Sequence, residues 1–66
     1  MAKGPREQIK RRLDSSIDAV EKVLGYLVEN GEMNREYHPE ILEQYQIVFA
    51  YFEQGRDLLE SLRNTY

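Results

Sequence analysis

The run Tyr45-Gln46-Ile47-Val48-Phe49-Ala50-Tyr51-Phe52 constrains this chain more than any other stretch, because Gln46 is its only residue without an apolar body. Read as part of a helix from about Pro39 to Asn64, it carries two apolar ridges at 100° per residue. Ile41, Tyr45, Val48, Phe52, Leu59, Leu62 and Tyr66 make one stripe, with Leu42 and Phe49 on its flank. Ile47, Tyr51 and Leu58 make the other, and the combined apolar arc spans roughly 220°. One neighbouring helix covers much less than that. The first stripe is expected to face the chain's own core. The second ridge, with Leu42 and Phe49 beside it, is read as an oligomer or partner interface.

The neighbour is a helix read from about Pro5 to Asn30. Ile9, Leu13, Ile17, Val20, Val23, Leu24, Leu27 and Val28 recur at three-and-four spacing within an arc of roughly 140°, the pattern of a one-sided amphipathic helix. Pro5 suits a first helical position, because its φ is already helical and its missing N–H has no partner to lose there. Asp14-Ser15-Ser16 offers an alternative start, with Ser15 and Asp18 at capping-box spacing. Asn30-Gly31 reads as the C-terminal stop, with Gly31 free to take the left-handed conformation. Residues 31–38 are then a loop, and Pro39 opens the second helix with His38 or Asn34 as its cap. Such a link joins an antiparallel αα-hairpin.

The expected fold is therefore all-α, a single helical-hairpin domain over residues 1–66 that dimerises into a four-helix bundle. Pairing about a 31–38 loop sets Leu27 near Ile41, Leu24 near Tyr45, Val20 near Val48 and Leu13 near Gly55. A glycine inside a helix costs about 1 kcal/mol relative to alanine. Gly55 is accordingly expected to admit a bulky neighbour such as Leu13 or Phe52.

Size supports the need for a second molecule. The chain has 66 residues, 41% hydrophobic and 32% charged, and domains this small bury only about 60% of their unfolded surface. Below roughly 70–80 residues, chains commonly add disulfides, a metal or a partner subunit. There is no cysteine and one histidine, which argues against disulfides, thiolate metal sites and histidine clusters. No cofactor or metal is expected. Oligomerisation remains, either with a second copy of the chain or by docking of helix 2 on a different protein. No stretch approaches the ~20 apolar residues that span a bilayer, and the N-terminus lacks the apolar core of a signal peptide. No membrane partner and a cytoplasmic location are expected.

Charge is distributed unevenly. Residues 1–12 hold Lys3, Arg6, Lys10, Arg11 and Arg12 against Glu7, a local charge of +4, whereas residues 13–66 carry −7. Clustered cations can neutralise phosphates and release counterions, so Arg6, Lys10, Arg11 and Arg12 are candidate phosphate contacts. The competing reading pairs them with acids at the end of helix 2. Glu53, Asp57 and Glu60 form an acidic strip, which reads as a solvated face because catalytic carboxylates need burial or coupling. No phosphate-cradling, nucleophilic or redox motif is present, and no catalytic residue is assigned. Two functions follow as expectations. One is a non-enzymatic adaptor or regulator acting by helix packing. The other is a nucleic-acid-binding regulator using the basic arm of a dimer.

Overall fold

The computed structural model describes residues 4–66; Lys3, counted above with the basic arm, lies outside them. Two helices lie antiparallel. Helix α1 runs Pro5–Tyr37, a 3-10 turn follows at Pro39–Ile41, and α2 runs Leu42–Asn64. There is no strand among the described residues.

Helix α1 starts where proline chemistry expects. Gly4 precedes it in extended conformation, Pro5 occupies the first turn, and the Glu7 N–H donates to Gly4 O at 3.1 Å. The Asp14-Ser15-Ser16 segment does not restart the helix. Ser16 Oγ instead donates back to Arg12 O at 2.9 Å, the i−4 bond a mid-helix serine commonly makes.

The end of α1 corrects the expected boundary. Gly31 does not stop the helix, because no residue among those described takes a positive φ. The segment read as a 31–38 loop is helical through Tyr37. Pro39 supplies the stop. Proline disfavours helical geometry in the residue before it, and His38 sits at φ −143°, ψ 69°. The expected caps are absent too: His38 makes no side-chain capping bond, and Asn34 lies inside α1. Asn34 Nδ2 donates to Asn30 O at 2.8 Å and to Tyr45 Oη at 3.2 Å, tying the last turns of α1 to the first turns of α2.

Moving the turn moves the register. A Cβ added to Gly31 would lie 4.0 Å from the Leu42 side chain, and Arg63 Nε donates to Asp14 Oδ1 at 2.9 Å. Each α1 residue thus meets an α2 residue about one and a half to two and a half turns later than the 31–38 loop implied.

The half-buried positions trace the seam. On α1 they include Leu13, Ile17, Val20, Leu27, Gly31 and Asn34, with Leu24 fully buried; on α2 they include Leu42, Tyr45, Phe49, Arg56, Leu59 and Arg63. Both sets alternate three- and four-residue steps, the 3.5-residue period of a coiled coil, with Phe52 filling the remaining α2 step at the edge of the seam. This face of α2 is rotated from the stripe expected. Leu42 and Phe49 turn toward α1, whereas Val48 and Leu62 face outward. Arg56 and Arg63 take seam positions because a long aliphatic stem can cover apolar surface while its charged head reaches out.

The Cα envelope measures 56 × 18 × 9 Å. At 1.5 Å per residue, α1 is about 50 Å long and α2 about 35 Å. With Arg63 level with Asp14, the first two turns of α1 project past the end of α2. Among the described residues only Leu24 is buried, at 6% exposure.

Because Gly31 is helical and has room for a methyl group, Gly31→Ala should stabilise the hairpin by about 1 kcal/mol. Chemical denaturation checks this. A left-handed glycine at the same place would make the substitution destabilising.

Candidate interaction surface

Along α2, three of the five residues read as an interface are strongly exposed. Ile47 is 53% exposed, Tyr51 70% and Leu58 63%. The other two, Leu42 and Phe49, are half-buried in the seam with α1. Their places on the outer surface are taken by Val48 and Leu62, together with the edge of Phe52. The result is a continuous apolar band along the flank of α2 that includes Val48, Tyr51, Phe52, Leu58 and Leu62.

A shallow groove beside this band is lined by Val20 of α1 and by Tyr51, Phe52, Gly55, Leu58, Leu59 and Leu62 of α2. Gly55 forms its notch. A Cβ at Gly55 would meet nothing within 4 Å, so the expectation that Leu13 or Phe52 presses on this glycine does not hold. The longer α1 explains why: in the observed register Asp14 lies beside Arg63, well past Gly55.

A second groove lies on the opposite flank of the hairpin, near the turn. Leu27, Val28, Gly31, Leu42, Phe49 and Ala50 supply its apolar surface, with Glu32, Arg35 and Glu53 at its margin. Arg35 Nη2 donates to Glu32 Oε1 at 2.9 Å. This groove is open and contains no buried polar group.

The basic arm is helical from Pro5 onward. Among the described residues Arg6, Lys10, Arg11 and Arg12 are in no ion pair; the cross-helix pair at this end is Arg63 with Asp14. The expected meeting of the arm with acids of α2 is thus not formed. Arg6 and Lys10 share a face at i,i+4, whereas Arg11 and Arg12 turn roughly 100° and 200° from Lys10. The four cations encircle the helix instead of lining one side.

The remaining polar features are surface contacts. Arg56 Nη2 lies 3.5 Å from Asp57 Oδ1, and His38 Nδ1 donates to Glu40 Oε1 at 3.2 Å with both groups exposed. Among the described residues no group of three histidines or carboxylates is placed to hold a metal ion, and no helix is long and apolar enough to cross a membrane.

Comparison with known proteins adds no likeness: no protein-family model, no curated protein and no solved structure matches this chain.

Sequence reasoning missed Val48 and Leu62 as outward residues and Arg56 as a seam residue. The wheel held the necessary signal for the first two, since they lie between the two ridges. What was lacking was the register that decides which part of a wide apolar arc turns toward α1. Arg56 gave no signal of its own, because a cation in a charged helix ordinarily reads as solvated.

Proposed function

We propose that this chain is a small non-enzymatic interaction module, an adaptor or regulator, that acts by helix packing as a homodimer. One observation carries the reading. With Leu24 the single buried residue among those described, the hairpin leaves Ile47, Val48, Tyr51, Phe52, Leu58 and Leu62 uncovered on one flank of α2. Monomeric proteins seldom expose a contiguous apolar patch of this kind unless it binds something. Tyrosine is also favoured at interface centres, where its ring packs and its hydroxyl finds a partner. Pairing two such flanks makes a four-helix bundle, in which each hairpin supplies the layer the other lacks.

A second reading is favoured by the projecting arm. Arg6, Lys10, Arg11 and Arg12 lie at the start of α1, ahead of the level of the Asp14–Arg63 pair, and are in no ion pair among the described residues, although Lys10 is half-buried. In a dimer two such arms supply eight cations. This is the footprint of phosphate-backbone binding, although cations spread around the helix favour non-specific contact over base reading.

Two measurements test the main reading. If folding is coupled to association, the thermal midpoint rises with protein concentration; a concentration-independent midpoint and a monomeric mass by light scattering at micromolar concentration would overturn it. Tyr51→Glu should raise the dimer Kd by tenfold or more, because it buries a charge at the contact between the two copies without a partner. Glu53→Ala, on the other side of α2, should change it less than threefold.

The second reading predicts binding to RNA or DNA at low salt. The affinity should fall steeply between about 50 and 200 mM salt and be lost when Arg11 and Arg12 are both replaced by glutamine. An absence of any mobility shift at 50 mM salt eliminates it.

A further inference from the structure

Resting on the homodimer reading, we infer that the two copies pack antiparallel, α2 against α2, and cross at Gly55. Three observations point to this crossing. The first is the glycine itself. Gly55 lies mid-helix in α2, where glycine is disfavoured, and no neighbour in its own chain requires it, since a Cβ there would meet nothing within 4 Å. A small residue on an exposed apolar flank is what close approach by another helix needs.

The second is the spacing of the apolar residues about it. Phe52 and Leu58 lie three residues to either side of Gly55, Tyr51 and Leu59 four, and Val48 and Leu62 seven. A two-fold interface requires that residue i meet j while j meets i. With the axis at Gly55, an antiparallel crossing sets Phe52 against the partner's Leu58, Tyr51 against the partner's Leu59, and Val48 against the partner's Leu62. Each large side chain meets an apolar one.

The third is charge. The turn end is acidic, with Glu29, Glu32, Glu36, Glu40 and Glu43 against Arg35, whereas residues 4–12 hold four cations against Glu7. Val20 lines the same groove as Gly55 and marks its level on α1. At 1.5 Å per residue Arg12 and Arg6 then lie about 12 and 21 Å from the crossing along the long axis. In the antiparallel dimer the partner's turn end extends the same way, with positions 29, 43 and 36 at about 14, 18 and 24 Å. Each unpaired arm therefore comes level with an acidic end. A parallel dimer would instead place arm beside arm and turn beside turn, like charge against like.

The test uses the absence of native cysteine. Tyr37→Cys, at an exposed site next to the turn, carries one spin label per chain, and pulsed electron resonance reads the distance across the dimer. The antiparallel crossing places the labels about 50 Å apart; a parallel bundle, with helix axes about 10 Å apart, places them within about 20 Å. In parallel, Gly55→Leu should raise the dimer Kd by tenfold or more in sedimentation equilibrium. Gly25→Leu, at another helical glycine with nothing within 4 Å of its Cβ but off the apolar flank, should leave it within twofold, and circular dichroism should show undiminished helix in both. Added NaCl should weaken the dimer, whereas a parallel arrangement would be strengthened as like charges are screened. A short label distance, or a Gly55→Leu chain that associates as tightly as the parent, overturns the crossing while leaving the dimer intact. A parent chain that stays monomeric at micromolar concentration overturns the dimer reading itself.

Discussion

Because two helices in contact form a single layer, each buries only the stripe turned toward the other, and a Cα envelope 9 Å thick leaves both broad faces of the hairpin open. The aliphatic stripe of α1, Ile9 to Val28, suits this arrangement, since its arc is narrow enough for one neighbour. The apolar arc of α2 is not. Its inner edge, from Leu42 through Tyr45 and Phe49 to Leu59, meets α1, and the remainder of its apolar surface continues around the helix through Val48 and Leu62 to Tyr51, Leu58 and Ile47. The surplus is a property of the sequence, so no rotation of α2 about its axis removes it. Turning Val48 inward would turn Phe49 out.

The position of the turn decides everything downstream of that surplus. Pro39 stops α1 at Tyr37, two residues before itself, which gives α1 ten residues more than α2. With Asn34 held by Tyr45 at one end and Asp14 by Arg63 at the other, the extra length can only emerge at the N-terminus. The basic arm therefore projects as a consequence of the turn. Exposed ion pairs such as Asp14 with Arg63 contribute about 0–1 kcal/mol, so this contact marks the register more than it creates it. Apolar packing along the 3.5-residue seam holds the helices together.

Much of this was legible in the residues. Pro5, the one-sided spacing of Ile9 to Val28 and the wide apolar arc of α2 suffice for two antiparallel helices, and Ile47, Tyr51 and Leu58 lie so far around the wheel that no register hides them. The boundary at Gly31 was not legible. Glycine after asparagine is compatible with a left-handed cap or with continued helix, and the choice turns on contacts that follow later in the chain, those of Asn34 with Tyr45 and of Leu42 beside Gly31. That single ambiguity carried forward. A turn placed too early gave Leu13 as the neighbour of Gly55 and set the basic arm against α2. A local choice at one glycine became a global error, because in a hairpin the register is inherited from the turn.

The proposed dimer through α2 would leave a different apolar row free. Tyr26, Met33 and Tyr37 are all largely exposed on α1, and their spacing of seven and then four residues places them on one row. At 100° per residue that row lies roughly opposite Leu24, hence on the far side of α1 from the seam. Packing α2 against a second α2 leaves it outward on both copies. The band on α2 and this row on α1 are therefore separable: the band is adjacent to the seam and shares side chains such as Phe52 and Leu59 with the contact between α1 and α2, whereas the row stands apart from the seam, flanked by Glu29, Glu36 and the acidic turn.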